Sequence, residues 1–287
     1  MPPVLVIARL TIQEAARRRL LLALVVLTLI VVGFSAWGFH KITTVTRSDG
    51  SPLPPVEVAL LTSQLLIVVT FMYSGVLALS AAVVAGPLIS SEVESGLLLS
   101  MLARPVRRSE VVIGKWLGLA ALVGVYAAGS AFLELVAVDW ATGYLPPHPV
   151  QLVLYVGSEG LVLLSLGLVL STRLSGITGG VIALVAWLMG WIGGVVGNIG
   201  TGLQNQAVEN VGVISHLVLP SDGLWRGAIY AMEPDTLLAA LRQAGTVGRA
   251  NPFSAVDPPS VAYLAWVVVW FGLMLALAIW SFRTREI

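Results

Sequence analysis

Six long apolar runs leave this chain few folds to adopt. Each run holds roughly 20 residues or more with few or no charged side chains, and roughly 20 residues is the length that an α-helix needs to cross a bilayer core. The predicted spans are residues 20–39, 59–89, 111–138, 152–170, 177–196 and 261–282. Because lipid offers a backbone no hydrogen-bond partners, we predict an all-α membrane protein with six transmembrane helices.

The composition agrees with this class. Hydrophobic residues make up 57% of the chain and charged residues only 11%, which is far from the composition of a soluble globular domain. The chain has no Cys, which excludes disulfides and thiolate metal sites. The net charge of +1 carries no information on partners. Membrane lipid is an expected partner, and nucleic acid is not.

The basic residues predict the orientation. Cytoplasmic loops of membrane proteins carry an excess of Lys and Arg, and here the bases concentrate on one side of the spans, at positions 9, 17–19, 104–115, 173 and 283–285. This places both termini in the cytoplasm, in the plasma (inner) membrane. The Arg17–Arg19 run and the apolar stretch after it imitate a secretion signal, but the stretch is too long and no convincing cleavage site follows it.

The first 19 residues predict an amphipathic helix that lies in the headgroup plane. From residue 4 to residue 19 the helical spacing forms an apolar stripe and a polar stripe, and Glu14 can pair with Arg18. The apolar stripe is Leu5, Ala8, Ile12 and Ala15, and the polar stripe is Arg9, Gln13 and Arg17. The alternative is a polar tail that only sets orientation.

A compact polar segment, SSEVESGLLLSMLARPVRRSEVVIGKW, separates the second span from the third. Residues 97–102 fit a short amphipathic helix that Arg104-Pro105 ends. Ser109 is placed to cap the third span, and Lys115 to reach back to the interface. Positive-inside sorting explains Arg107 and Arg108 as ligands of lipid phosphates, but it does not require Glu92 or Glu94. Those carboxylates suit a basic groove on a docked protein.

The pattern Glu92-x-x-x-Gly96, then LLSMLARPVRRSE, then Gly114-Lys115 resembles the cytoplasmic segment of ABC type-2 (ABC-2) export permeases. The resemblance is greatest to the branch with the membrane subunit of the transporter that matures the copper site of nitrous oxide reductase. Elsewhere the likeness is architectural: an interfacial first helix, six spans and a long outer loop before the last one.

The resemblance implies a coupling helix within residues 90–110 that enters a cleft on a separate ATPase subunit. The residues then expected to transmit ATP-driven motion are Glu92, Glu94, Gly96, Arg104, Pro105, Arg107 and Arg108. It also implies two copies of that ATPase, which bind ATP and Mg, and a second copy of this permease or of a related one. The chain itself would carry no cofactor and catalyse no reaction.

The residues give no independent sign of catalysis. Gly114-Lys115-Trp116 lacks the upstream glycine and the following hydroxyl of a phosphate-binding loop. There is no His-Glu-x-x-His pair, and His40, His148 and His216 are all predicted to lie outside the membrane. We therefore expect no catalytic residue and no metal site.

Two carboxylates fall inside predicted spans, where charge is rare. Glu159 in the fourth span and Glu134 in the third are candidates to line a substrate path or to bind a cationic cargo. Each can equally hydrogen-bond a neighbouring helix. Trp187 in the fifth span, four residues before Trp191, can line the same path or face lipid.

The fifth span is rich in glycine at a spacing of four. Gly190 and Gly194, and likewise Gly193 and Gly197, leave small faces that permit close approach of another helix. Since the fifth helix of ABC-2 permeases often lies near the dimer centre, the resemblance favours a dimer interface. Glycine is also common in membrane helices without such a role.

Residues 198–260 form an outer loop that is too long for a plain connection and too apolar for disorder. Short helices are predicted at 207–219, 224–232 and 235–244, with Pro220-Ser221-Asp222-Gly223 as a break and Asp235 as a cap. A lid on the outer mouth and a docking surface for an extracytoplasmic partner are both open. The chain thus divides into 1–19, 20–197, 198–260 and 261–287.

The function predicted from these features is that of the membrane-spanning permease subunit of an ATP-driven exporter. A secondary transporter without an ATPase is the first alternative, and it predicts inverted repeats and charges deep in several helices. A membrane anchor or assembly factor is the second. The substrate stays open among lipid-like molecules, drugs, peptides and sulfur- or metal-related cargo.

Overall fold

A computed structural model describes residues 2–16, 19–48, 50–94, 107–245 and 251–285. These residues form eleven helices. They are α1 Pro3–Ala16, α2 Arg19–Thr43, α3 Pro55–Ala85, α4 Pro87–Glu94, α5 Arg108–Thr142, α6 Pro149–Ser171, α7 Gly176–Gly202, α8 Gln206–Val218, α9 Ser221–Met232, α10 Asp235–Gln243 and α11 Val261–Arg283.

Six of these helices, α2, α3, α5, α6, α7 and α11, are long and apolar enough to cross a membrane. The predicted all-α membrane fold with six spans is thereby confirmed. The most buried of the six is α6, which forms the centre of the bundle. We call the end of the bundle that carries α1 and α4 the base, and the end that carries α8, α9 and α10 the top.

The second predicted span is interrupted where the sequence carries Gly86-Pro87. Helix α3 ends at Ala85 and the short helix α4 begins at Pro87, because proline has no N–H to continue the ladder and is favoured in a first turn. Pro87 packs on the start of α7, where a Cβ on Gly176 would lie 2.9 Å from the proline Cβ. The segment between the second and third spans therefore begins on a fixed support.

Helix α1 packs along the first third of α5. A Cβ on Gly114 would lie 2.8 Å from the Ile7 Cβ, and a Cβ on Gly118 would lie 2.6 Å from the Ala8 carbonyl oxygen. The predicted apolar stripe is partly wrong. Ala8 and Ala15 are buried as expected, but they share the buried face with Ile7 and Thr11, while Leu5 is 52% exposed. Gly114 and Gly118 of α5 favour the face of α1 that allows the closest backbone contact. A position of α1 in the headgroup plane stays a prediction.

Helices α8 and α9 fold back into the bundle as a hairpin. Gly193 of α7 faces Ser215 of α8. Gly197 faces the backbone of Gly212, because a Cβ on Gly197 would lie 2.7 Å from the Gly212 Cα. The turn between α8 and α9 is held by α11, since the Trp270 indole N–H donates to the Val218 carbonyl at 2.9 Å. All three predicted outer helices exist, but two of them are packed against the spans.

The turn of this hairpin reaches the middle of the bundle. Leu219 and Leu224 share one buried apolar cluster with Val162, which lies halfway along α6, and with Val267 and Trp270 of α11. The predicted break at 220–223 is partly wrong, because residues 221–223 form the first turn of α9. Asp235 is likewise the first residue of α10 rather than its cap, which is Pro234.

A buried ion cluster ties the hairpin together. The Asp222 carboxylate, whose side chain is 1% exposed, accepts from Arg226 Nε at 3.0 Å and lies 2.7 Å from His216 Nε2. Gly194 of α7 makes room for it, because a Cβ there would lie 1.8 Å from the carboxylate. The structure places His216 of α8 against Asp222 of α9, and its predicted position outside the membrane stays a prediction.

Replacing Gly197 by Ala should destabilise the fold, because the new methyl group meets the Gly212 backbone, which cannot rotate away. Overpacking of this kind costs about 1–3 kcal/mol, so the midpoint of thermal unfolding in detergent should fall by several degrees. Gly179→Ala on the same helix is the matched control, since its Cβ would lie an ordinary 3.4 Å from Leu170. Equal midpoints for the two variants would contradict this packing.

Glu233 follows α9 outside the spans and is fully buried. Burial raises the pKa of this carboxyl group from its usual 4.5 to about 7, against the opposing hydrogen bond from the Ala255 backbone N–H. The folded protein keeps this proton up to about pH 7, whereas the unfolded chain loses it above pH 4.5. The contribution of Glu233 to the free energy of unfolding therefore falls as pH rises between these values.

Glu233→Gln should flatten this part of the pH dependence, because the amide cannot ionise and its oxygen still accepts from Ala255. The measurement is the thermal midpoint of each protein from pH 4.5 to pH 8, with the same change at the exposed Glu57 as the control. The variant should gain stability over the wild type as pH rises. A constant difference across this range would rule out the proposed titration.

Candidate functional site at the base of the bundle

The base of the bundle holds both ends of the polar segment between the second and third spans. On one side, α4 carries Leu88 and Ile89 into the bundle. On the other, the Lys115 side chain of α5 is 3% exposed and donates from Nζ to the Leu88 carbonyl at 2.8 Å. Lys115 was predicted to reach back to the membrane interface. Its structural role differs, because it binds a backbone carbonyl beyond the break at Gly86-Pro87.

Arg108, the first residue of α5, is bound to the end of the last helix. Its guanidinium donates to the carbonyls of Phe282, Arg283 and Arg285 at 3.0, 3.2 and 2.8 Å. The last carbonyls of a helix have no partner within the helix and carry the negative end of its dipole, so a cation is favoured there. These contacts use Nη1 alone, and binding of lipid phosphates by Arg108 stays a prediction.

The end of α6 is joined to the same helix end. Thr172 Oγ1 and Ser281 Oγ are 2.7 Å apart, and Arg173 Nε donates to Ser281 Oγ at 3.1 Å. Arg285 in turn donates to the Thr172 carbonyl at 2.6 Å. The end of α6 thus donates to side-chain hydroxyl groups at the end of α11, and Arg285 donates back to a carbonyl group. These contacts hold α6 and α11 together at the base.

An apolar cluster lies beneath these polar contacts. Ile89 of α4, Val111 and Val112 of α5, Leu168 of α6 and Phe282 of α11 are all fully buried in it. Ile7 of α1 belongs to the same cluster. We call this cluster, together with the Lys115, Arg108 and α6–α11 contacts, the base joint. It connects the two ends of the polar segment to five helices.

The structure places only part of the predicted coupling set. Arg107 caps α5 through its backbone, whose N–H donates to the Glu110 carboxylate at 2.7 Å. Ser109, predicted as the cap, lies within the first turn instead. Glu92 and Glu94 lie in the last turn of α4, and their side chains are outside the described residues. Gly96, Arg104 and Pro105, and the helix predicted at 97–102, are also outside them.

A second predicted pair, Glu159 and Trp187, is brought together in the middle of the bundle. The Glu159 carboxylate is 1% exposed, and it accepts from Ser74 Oγ at 2.6 Å and from Trp187 Nε1 at 3.0 Å. These contacts join α3, α6 and α7. Trp191, one turn further, packs on Phe71 with ring centroids 5.0 Å apart. In this conformation, then, Glu159 holds three helices together.

Glu134 does not join this contact. It lies at the interface of α5 with α3 and α6, where it lines a small cavity with Thr70 and Tyr73. The two carboxylates predicted to lie in the membrane therefore have different surroundings, although the same roles were predicted for both.

The four glycines predicted for packing are all covered by helices of the same chain. Gly190 faces Leu219, Gly193 faces Ser215, Gly194 faces Asp222 and Gly197 faces Gly212. They accommodate the α8–α9 hairpin, so any second copy of the chain would contact the other, exposed face of α7. The dimer role of α7 stays a prediction.

Sequence reasoning missed the acceptors of Lys115, Arg108, Arg173 and Arg285. Their position at span ends was visible, but the positive-inside rule already accounted for it and suggested lipid phosphates. A better signal is that helix termini expose unpaired carbonyls, for which buried bases are suitable donors.

Glu159→Gln should leave stability nearly unchanged, because the amide oxygen can accept from Trp187 while its N–H donates to Ser74 Oγ. Glu159→Leu removes both bonds and buries two unsatisfied donors, at about 1–3 kcal/mol each. The expected result is a clearly lower thermal midpoint in detergent for the Leu variant only. If Leu matched Gln, the two hydrogen bonds would not hold these helices together.

Comparison with known proteins agrees with this architecture. The family described as ABC-2 family transporter protein matches residues 5–287 of the chain. The probable ABC transporter permease protein NosY of Pseudomonas aeruginosa is 30% identical over 304 aligned residues, which cover 100% of this chain and 100% of that protein. Permease subunits of this family work with a partner ATPase subunit and are generally not catalytic themselves.

The match runs through all six spans, the base joint and the α8–α9 hairpin. The chain therefore belongs to the ABC-2 transporter family, and it is an integral membrane permease subunit of an ABC transporter.

Proposed function

We propose that this permease is the transport subunit of an exporter in which two copies of the chain, or one copy and a related one, bind two ATPase subunits. ATP and Mg would bind to the ATPases, and none to this chain. The base would face the cytoplasm of the plasma membrane, with both termini on that side. Motion caused by ATP binding would enter through residues 90–110 and rearrange the helices around a central path.

The observation that carries this proposal is the base joint. Lys115 fixes the start of α5 to Leu88, Arg108 fixes it to the end of α11, and Pro87 rests on Gly176 of α7. The described residues on both sides of the segment between α4 and α5 are therefore bound to other helices. A displacement of these residues would act on α5, α6, α7 and α11 together, which suits a mechanical link better than a loop that only anchors the chain to lipid.

Substrate movement would require the helices around Glu159 to separate. Because Glu159 joins α3, α6 and α7 through Ser74 and Trp187, opening a path between them would break two buried hydrogen bonds and expose a carboxylate and an indole. We place Glu159 and Trp187 on the substrate path for this reason, and Glu134 at its side. The α8–α9 hairpin would close the top of the path as a fixed plug rather than as a mobile lid.

Charge reversal in the last turn of α4 tests the coupling role. Glu92→Arg and Glu94→Arg should abolish co-purification of the partner ATPase or uncouple its ATP hydrolysis from transport, because a carboxylate suited to a basic groove becomes a repelled cation. Glu57→Arg at the top of the bundle is the matched charge reversal, and it should change neither. The readouts are the yield of ATPase after affinity purification and the stimulation of hydrolysis by substrate.

Loss of ATPase binding or of coupling in the α4 variants, with both properties retained in Glu57→Arg, supports the proposal. Unchanged co-purification and unchanged transport-coupled hydrolysis in both α4 variants would contradict it. A secondary transporter would then be the better explanation.

A further inference from the structure

A small cavity lies between α3, α5 and α6, away from the base joint and from Glu159. Its polar lining consists of Thr70 and Tyr73 of α3 and Ser130 and Glu134 of α5. Aliphatic side chains close the remainder, namely Leu66, Ala131, Leu135, Leu152 and Val156. The cavity has room for about one water molecule.

Glu134 is buried in this cavity without a hydrogen bond from the part of the chain that the structure describes. Its side chain is 3% exposed, and neither carboxylate oxygen meets a donor there at hydrogen-bond geometry. Ser35 of α2 faces the carboxyl group but does not meet hydrogen-bond geometry. An isolated carboxylate is among the most unfavourable groups to bury in a membrane protein, so it needs a compensating group.

The hydroxyl groups around Glu134 do not compensate it, because each has used its one hydrogen elsewhere. Thr70 Oγ1 donates to Met232 Sδ at 3.4 Å, Ser130 Oγ to the Ala127 carbonyl at 3.1 Å, and Tyr73 OH to the Thr28 carbonyl at 3.5 Å. These three hydroxyl groups therefore direct lone pairs into the cavity. In this arrangement the four polar side chains of the lining present acceptor oxygens to the cavity.

A lining of acceptors selects a cation. Carboxylate and hydroxyl oxygens are hard ligands, which suit alkali and alkaline-earth ions rather than copper or zinc. A single carboxylate balances one positive charge, and the room of one water molecule excludes an ion that keeps its hydration shell, as Mg²⁺ does. Among common ions the size, charge and ligand type fit Na⁺.

We propose that the Glu134 cavity is a binding site for one dehydrated sodium ion. Glu134 supplies the charge, and Thr70, Tyr73 and Ser130 supply neutral oxygens from two helices. An ion bound here would join α3 to α5, and would thereby favour the arrangement in which these two helices are packed together. The site goes beyond the proposed function, because it requires no contact with the transported substrate or with the ATPase.

The test is sodium-dependent stability of the purified full-length chain. A ligand that binds only the folded protein raises its stability with concentration, so the thermal midpoint should rise with NaCl and not with choline chloride at equal ionic strength. Retention of radioactive sodium by the protein gives a direct second readout. Ser130→Ala and Thr70→Val each remove one oxygen, and each should raise the half-saturating sodium concentration about tenfold.

Glu134→Gln should abolish both sodium effects. Its amide brings its own hydrogens to the acceptor lining, so the variant is expected to fold. Glu159→Gln is the matched control, since that carboxylate already has two donors, and it should keep the full sodium response. Equal midpoints in the two salts for the wild type, or a sodium response that survives in Glu134→Gln, would overturn the proposal.

Discussion

The structure depends most on how helix ends find partners where water is scarce. Arg108 Nη1 of α5 lies within hydrogen-bond distance of three carbonyl oxygens at and just beyond the end of α11, and Arg285 donates to the Thr172 carbonyl at the end of α6. These contacts cross between helices that are more than a hundred residues apart in the chain. Because unpaired carbonyls are most costly at the edge of an apolar core, the same bonds that satisfy the backbone also fix the relative positions of the spans.

The second constraint is close approach through glycine. Gly114 and Gly118 admit α1 onto α5, and Gly193 and Gly197 admit α8 onto α7. In both places the neighbouring helix occupies the space that a side chain on the glycine would fill. This close approach increases dispersion contacts, which matter because the hydrophobic effect between helices is weak in a membrane. One consequence is that an outer connection becomes part of the bundle. The hairpin turn then buries Asp222 against Gly194 of α7, and His216, whose side chain is 26% exposed, contacts Asp222 from α8.

Three buried acidic side chains show how the environment divides similar residues into different roles. Glu159 accepts from Ser74 and Trp187 and joins helices. Asp222 forms an ion pair with Arg226 and contacts His216 of α8, which stabilises the hairpin. Glu134 lies in a cavity lined by hydroxyl oxygens and accepts no hydrogen bond from the described residues. A permease that changes shape needs contacts that hold and contacts that can exchange, and only the last of these three has a place for an exchangeable ligand.

The sequence by itself determined the membrane class, the six spans and the three helices of the outer region, because the length of an apolar run and the punctuation by proline and glycine are local properties. It also carried the family resemblance, which the comparison of the whole chain confirmed. The register of α1, the acceptors of Lys115 and Arg108, and the helix that covers Gly190–Gly197 were decided only by tertiary structure. Each of these features depends on which helix, distant in the sequence, packs against the residue. A local pattern of polarity or spacing contains no information about that packing.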